Sequence, residues 1–304
     1  MNVIFETITG SKLYGTNIEG SDTDTKGVCI LDKKEYYGFL NRFEQYNDPN
    51  KDTEIYDIRK AFNLMAKANP NMYDLLFAPK KFWLKQSKSW NNIYKNRYAF
   101  LSKKAKHTYS GYAMSQLKRI DRHRRWLLNP VLTQPKREDF EFKECPVSKD
   151  LIKAVLSIPN KILADDVQDD VKRELDYQYR LKDYNSYQGW LKNRNSSRAA
   201  TEMKIGYDSK HGTHLIRLLV TCKEILTEGE VIVDRTGIDA DMLKSIRNCE
   251  WSYERLTGYS KDLDSELDEL YDKSELRHKP DMNFLNDLCV EVTEEFHGEN
   301  NTKF

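Results

Sequence analysis

The 304-residue sequence has little of what stabilises small secreted, fibrous or membrane proteins. Its 5 cysteines are odd in number, widely spaced and without a CxxC pair, which argues against a disulfide framework or a zinc site. Its 13 glycines and 8 prolines are too few for a collagen-like or low-complexity chain. No apolar run approaches the roughly 18 residues of a membrane helix. The start MNVIFETITGS has no basic or long apolar stretch, so we expect no signal peptide, no membrane partner and a cytoplasmic location.

The sequence also lacks an excess of charge of either sign. Its 49 basic and 48 acidic residues give a net charge of +1. A nucleic-acid partner would therefore have to bind a local basic patch, because phosphate neutralisation needs clustered Lys and Arg. The 18 Tyr, 12 Phe and 5 Trp argue against wholesale disorder, and the length suggests about two domains.

The hydrophobic pattern changes its period near residue 58. Before that point it predicts short strands at 3–5, 25–30 and 53–56, with a long loop over 32–50. After it, the spacing predicts a helix over 58–66 capped by Asp57, and helices dominate beyond residue 80. The further predicted helices are 72–77, 108–127, 150–163, 211–228, 239–248 and 262–276, with one isolated strand at 230–235. This pattern predicts an α+β protein with a small domain at 1–85 and a larger, mainly helical domain at 86–304.

The most informative stretch is residues 10–28, GSKLYGTNIEGSDTDTKGV. Gly10 and Ser11 lie between a predicted strand and a predicted short helix, where close backbone approach and free N–H groups favour phosphate. Asp22 and Asp24 lead into the next strand, and their spacing of two places both carboxylates on one face. Such a pair suits two Mg²⁺ ions in phosphoryl transfer. An Asp-x-Asp pair alone is weak evidence, but the Gly-Ser upstream makes this one more specific.

The combination resembles the N-terminal signature of the DNA polymerase beta-type nucleotidyltransferase superfamily: Gly-Ser, then Asp-x-Asp, then a further acid on a neighbouring strand. The pattern GSxxYGTxxxxSDxDxxGV is similar to that of predicted nucleotidyltransferases from bacteria and phages, some of them associated with RNA ligase in RNA repair. Three further blocks fit the same family in order, at residues 52–77, 107–119 and 207–219. The resemblance implies a mixed sheet with helices in the first domain and nucleotide or substrate binding in the second.

The resemblance also implies roles for the acidic residues. Asp22 and Asp24 would hold two divalent ions, Mg²⁺ or Mn²⁺, and Asp52 would be the third catalytic and metal-binding carboxylate. Glu54 is the fallback for that third position. By the same resemblance, Gly10 and Ser11 would hold the β- and γ-phosphates of the nucleotide.

Two groups of basic residues have open interpretations. Lys210, His214 and Arg217 lie on one predicted helix face, which suits a cleft wall against triphosphate but is equally typical of a solvated helix edge. The resemblance favours nucleotide binding. The second group, which also contains His123 and Trp126, could grip an RNA backbone and stack on a base, or be a plain surface neutralised by the acids at 262–275. Its basic members are Lys118, Arg119, Arg122, Arg124 and Arg125.

The expected function is a metal-dependent nucleotidyltransferase of the EC 2.7.7 class. It would move a nucleoside monophosphate from an NTP to a hydroxyl with release of pyrophosphate, and the favoured acceptor is the 3′ end of an RNA such as tRNA. The alternatives are toxin-like nucleotidylation of a protein or small molecule, and a catalytically silent nucleotide- or RNA-binding module. The sequence carries no signal for an oligomeric state.

Overall fold

The computed structural model describes residues 1–40, 43–48, 52–140, 148–157, 165–194 and 196–301. Five strands are described: β1 Asn2–Thr9, β2 Asp24–Ile30, β3 Gln45–Asp48, β4 Thr53–Asp57 and β5 Trp83–Gln86. The first five helices are α1 Gly10–Tyr14, α2 Lys33–Tyr37, α3 Ile58–Ala66, α4 Pro70–Leu76 and α5 Lys88–Lys95. They are followed by α6 Lys104–Leu128, α7 Lys149–Ser157, α8 Asp165–Asn193 and α9 Ser196–Ile205. The last four are α10 Ser209–Glu228, α11 Ala240–Arg247, α12 Tyr253–Lys273 and α13 Met282–Asn301. The predicted α+β class is confirmed.

The strands form one mixed sheet in the order β3-β4-β2-β1-β5. β2 runs parallel to β4, and the other neighbouring pairs are antiparallel. Behind β1, Phe5 stacks on Trp90 of α5 with ring centroids 3.8 Å apart, and Trp83 of β5 meets the same Phe5 edge-on at 5.3 Å. The buried rings of Phe5 and Trp90 pack α5 against the sheet. The site lies at the end of β1 that Thr9 occupies.

Most of the early predicted elements are confirmed, with local causes that the sequence contains. Asp57 caps α3, since its carboxylate accepts a hydrogen bond from the backbone N–H of Arg59 at 3.0 Å. Asn69 caps α4 in the same way, with Pro70 in the first turn, where the missing N–H does no harm. The short helix expected after Gly10 is α1.

Two predictions for single segments are wrong. The expected loop at 32–50 contains α2 and β3, and β5 was not foreseen. The expected strand at 230–235 forms no ladder with any described strand, although its alternating Val231 and Val233 are buried. Arg235 at its end is 1% exposed and pairs with Glu224 and Asp239 at 2.6 and 2.7 Å. Residues 158–163 of the helix expected at 150–163 lie outside the described residues.

The chain divides into two compact units. One unit contains residues 1–120 and 208–304, so the sheet packs in the same unit as the C-terminal helices. The other contains residues 121–207, where Trp126, Tyr187 and Trp190 form an aromatic cluster. Across the described ranges, no helix combines the length and apolar character that a membrane crossing requires.

Candidate active site

A cleft of about 360 Å³ opens at the edge of the sheet where β1 ends and where β2 and β4 begin. The pairing brings these ends together, because Thr9 lies opposite Asp24 and Thr53 lies beside Thr25. Five acidic residues line the described part of the cleft: Asp24, Asp48, Asp52, Glu54 and Asp74. The other lining residues are Thr9, Gly10, Tyr14, Lys26, Asn47, Thr53 and Asn71. A cleft with this excess of carboxylates is suited to cations.

Gly10 sets the position of Asp24. Its φ is +70°, in the left-handed region that favours glycine, and a Cβ at this position would lie 2.4 Å from Asp24 Oδ2. The Asp24 carboxylate therefore rests against the bare backbone at the start of α1. This contact gives a physical reason for glycine at position 10, in addition to the predicted approach of a phosphate.

Asp24 is at the centre of an acidic cluster. Burial raises the pKa of Asp24, the Lys210 ammonium lowers it, and the carboxylates of Asp52 and Asp22 raise it again, for a net rise. Two other predicted carboxylates and one predicted cation thus lie within electrostatic range of Asp24. Asp22 precedes β2 and is exposed, so strand alternation does not set its direction as expected.

The predicted third carboxylate, Asp52, lies in the turn before β4. Its φ is +44°, a conformation that Asp tolerates better than most residues, and its carbonyl accepts the N–H of Thr25 at 3.1 Å. The fallback, Glu54, is engaged elsewhere: it accepts hydrogen bonds from Lys26 Nζ and Tyr56 Oη, both at 2.6 Å. Burial acts to raise the pKa of Glu54, but these two bonds outweigh it and the pKa is lowered. Asp52 thus remains the better candidate for an ion ligand.

Among the described residues, no group of three or more His, Cys, Asp or Glu side chains is arranged to hold a metal ion. The chemistry of the donor set nevertheless fits a hard divalent ion, since Asp24 shares the cleft with four other acidic residues and Mg²⁺ commonly takes only one or two carboxylates with substrate phosphates. His211 and His214 are not part of any metal-holding group of side chains in the described chain.

Behind the lining, a buried ion pair joins α4 to α10. Arg217 Nη1 donates to Asp74 Oδ1 at 3.2 Å, and both side chains are 3% exposed. Tyr14 Oη donates to the other oxygen, Asp74 Oδ2, at 2.6 Å, and the Arg217 guanidinium lies 3.8 Å from the centre of the Tyr14 ring. Arg217 thus touches two lining residues without lining the cleft itself.

Tyr14 and Asp74 were missed by sequence reasoning. One signal was available, because Asp74 is a charged residue within the otherwise apolar stretch Met72–Phe77 of the α4 region. A carboxylate that is 2% exposed on such a helix requires a cation or hydrogen-bond donors. The partner, 143 residues away, could not be read from any local pattern.

His214 lies next to Arg217, with 3.4 Å between His214 Nδ1 and Arg217 Nη2. Burial, and then the charge of Arg217, lower the pKa of His214 to about 3. The other groups that lower it are His211, Lys210 and Arg119. His214 is therefore neutral at neutral pH and lies within a field of positive charge. Lys210, in the first turn of α10, is exposed.

Ser11 lies within α1 and is not among the lining residues. The helix has only five residues, so its dipole is weak. The next residue, Lys12, donates a hydrogen bond to the hydroxyl of Thr23, between the two predicted metal-binding aspartates. α1 therefore contacts the segment 22–24 at two points, through Gly10 against the Asp24 carboxylate and through Lys12 at Thr23.

The basic residues of α6 fall into two groups. Lys118, Arg119 and Arg122 are exposed. Arg125 pairs with Asp183 at 2.6 Å, and the Trp126 indole N–H donates to the same carboxylate at 3.1 Å. Trp126 is 2% exposed, so the alternative in which it stacks on a base has no support in this structure. In the described structure, acids of the segment 262–275, the alternative partners of this group, pair with Lys106, Lys223 and Lys273.

Residues 1–139 match the family described as RlaP, RNA repair pathway DNA polymerase beta family. This match confirms the resemblance found in the sequence. The matched region includes Gly10, Asp24, Asp52 and Asp74, and it ends before α10. No curated protein and no solved structure matches the chain.

Proposed function

We propose that this chain is a metal-dependent nucleotidyltransferase that moves a nucleoside monophosphate from an NTP to a hydroxyl, most simply the 3′ end of an RNA such as tRNA. The observation that carries the proposal is the Asp24 carboxylate. It rests against Gly10 in the cleft, and the charges of Asp22 and Asp52 act on it. Partly buried carboxylates repel one another, and a bound divalent cation removes that repulsion.

The residues that would hold Mg²⁺ or Mn²⁺ are Asp22, Asp24 and Asp52, with Glu54 as the fallback for the third. Two such ions, when bound, would neutralise triphosphate charge and lower the pKa of the acceptor hydroxyl. Glu54 is the weaker candidate because Lys26 already pairs with it. Gly10 would let the triphosphate approach the backbone, with Ser11 beside it as a further donor.

The proposed transfer is an in-line substitution at the α-phosphorus. The acceptor oxygen forms a bond to this phosphorus, and the bond from the phosphorus to the bridging oxygen of pyrophosphate breaks. Pyrophosphate leaves with the electron pair, and the hydroxyl proton passes to solvent. The role of the chain is mainly to position the reactants and to stabilise charge. Lys210, whose charge lowers the pKa of Asp24, would bind the departing phosphates. His214 and Arg217, which contact each other on the same helix α10, would support it.

In the proposed division of work, residues 1–85 contribute the acidic side of the site and residues 86–304 contribute the basic side. Both sides lie in the unit that contains residues 1–120 and 208–304. RNA as the acceptor is supported by the description of the matched family and by the exposed Lys118, Arg119 and Arg122. Arg124 and Arg125 complete the proposed RNA-binding patch.

The test is nucleotide incorporation by the purified chain with Mg²⁺, each labelled NTP in turn, and total RNA. The variant Asp22→Asn/Asp24→Asn is compared with Asp262→Asn/Asp272→Asn, which makes the same charge change at exposed positions of α12. We expect the wild type and the α12 control to label RNA, and the Asp22/Asp24 variant to lose at least about a hundredfold in rate.

Each other outcome has a separate meaning. Label on a protein instead of RNA would favour the toxin-like alternative. Equal labelling by both double variants would show that Asp22 and Asp24 are not catalytic. No incorporation by the wild type and no binding of any NTP in calorimetry would overturn the proposed function.

A further inference from the structure

Thr9 is a lining residue that the nucleotidyltransferase signature does not include. It is the last residue of β1, directly before Gly10 and directly opposite Asp24 in the β1–β2 pairing. Thr9 is 4% exposed, and its hydroxyl has no hydrogen-bond partner among the described residues. A buried hydroxyl without a partner is unfavourable, so its presence needs an explanation.

The usual explanation for a threonine at this position does not apply. Thr9 is the N-cap residue of α1, where a threonine hydroxyl normally accepts an N–H of the first turn. Its side chain makes no such bond. Several other buried polar atoms of the described chain also lack partners, but Thr9 differs from them in lining the cleft.

Thr7 shows what the same residue type does when its role is structural. It is two residues earlier on β1, on the same face, and is fully buried. Its hydroxyl donates to the carbonyl of Phe82 at 3.0 Å, which ties β1 to the segment before β5. The hydroxyl of Thr7 is thus satisfied within the fold, whereas that of Thr9 has no partner in the described chain and belongs to a residue that lines the cleft.

We infer that the Thr9 hydroxyl is a binding group for the polyphosphate of the nucleotide, donating its hydrogen to a β- or γ-phosphate oxygen beside Gly10. This inference deepens the proposed function and rests on it. The position fits, because Thr9 directly precedes Gly10, which is proposed to hold the same phosphates, and both residues line the cleft. A hydroxyl is a neutral hydrogen-bond donor, so it can bind a phosphate oxygen without adding positive charge to the site.

The test is a comparison of two isosteric substitutions, Thr9→Val and Thr7→Val, in the full chain. Binding of inorganic tripolyphosphate with Mg²⁺ is measured by calorimetry, which requires no knowledge of the base. We expect Thr9→Val to bind it about ten- to a hundredfold more weakly, since one hydrogen bond to a charged group is lost. Thr7→Val should bind it within about twofold of the wild type. Thr9→Ser, which keeps the hydroxyl, should restore most of the binding.

Thermal unfolding provides the second readout, and the two variants should change it in opposite directions. Thr9→Val should leave the melting temperature unchanged or raise it, because the substitution removes an unsatisfied buried hydroxyl. Thr7→Val should lower it by about 2 °C or more, because the carbonyl of Phe82 loses its donor.

The inference is overturned if Thr9→Val binds tripolyphosphate like the wild type, or if it lowers the melting temperature as much as Thr7→Val. It is also overturned if the wild type binds no tripolyphosphate. A wild type that binds tripolyphosphate in a Thr9-dependent manner but transfers no nucleotide would uphold the inference while contradicting the proposed transferase activity.

Discussion

The buried pair of Arg217 and Asp74 makes the sharpest prediction about stability. Both side chains are 3% exposed, so removing one partner leaves a charge with almost no access to water. Such single losses cost about 3–5 kcal/mol of unfolding free energy. Arg217→Met also removes the contact of the guanidinium with the Tyr14 ring, and Asp74→Asn removes the charge that accepts the Tyr14 hydroxyl. We expect each single variant to lose about 3–5 kcal/mol.

The double variant Asp74→Asn/Arg217→Met should be less damaged than the two single losses combined. In the double variant no uncompensated charge stays buried, so the coupling between the two sites should reach about 2 kcal/mol or more. The assay is urea unfolding of the wild type, both single variants and the double variant, monitored by circular dichroism and tryptophan fluorescence.

The exposed pair of Glu269 and Lys273 is the matched control. Its side chains are 73% and 71% exposed, with 3.3 Å between the charged atoms, so its coupling should stay below about 1 kcal/mol. If the coupling of Asp74 with Arg217 is as small as that of the exposed pair, the argument from burial is refuted.

Two further predictions concern Gly10 and His214. Gly10→Ala and Gly20→Ala should each lower the free energy of unfolding by about 1 kcal/mol because of backbone strain, since both glycines have positive φ. Only Gly10→Ala should abolish nucleotide transfer, because its Cβ collides with Asp24, whereas nothing lies within 4 Å of a Cβ at Gly20. Wild-type transfer by Gly10→Ala would contradict this. The pKa of His214 is about 3 in the folded chain and 6.5 ordinarily, so the unfolded chain binds the proton first as the pH falls. The stability that neutral His214 supplies is therefore lost as the pH falls from about 6.5 to 3. His214→Gln should lower the slope of unfolding free energy against pH by up to about 1.4 kcal/mol per pH unit in this range. Urea unfolding at several pH values measures this slope, and an unchanged slope would contradict the prediction.

Much of the site could be predicted because its parts are close together in the sequence. Gly10 directly follows β1 and Asp24 begins the neighbouring strand β2, with one short helix between the strands, so a local pattern indicated their meeting. The choice of Asp52 over Glu54 is different. The electrostatic preference for Asp52 depends on Lys26 facing Glu54 across the β2–β4 pairing, and this pairing is a property of the sheet.

The basic residues of α6 show the limit of reading a helix by composition. Trp126 looked like a surface group suited to RNA because it follows a run of cations. In the fold its indole N–H donates to Asp183 of α8, and the indole is buried in an aromatic cluster. Local spacing indicates which residues share a helix face, but not which face another helix covers.

The sequence by itself determined the features that depend on local conformation. These are the periods of the strands and helices, the caps at Asp57 and Asn69, and the placement of a glycine where the chain turns into the cleft. Only the tertiary structure decided which polar groups are satisfied. The hydroxyl of Thr7 finds a carbonyl 75 residues away, the carboxylate of Asp74 finds a guanidinium 143 residues away, and the hydroxyl of Thr9 finds no partner in the described chain. A hydrogen bond depends on distance in space, which no local residue pattern specifies.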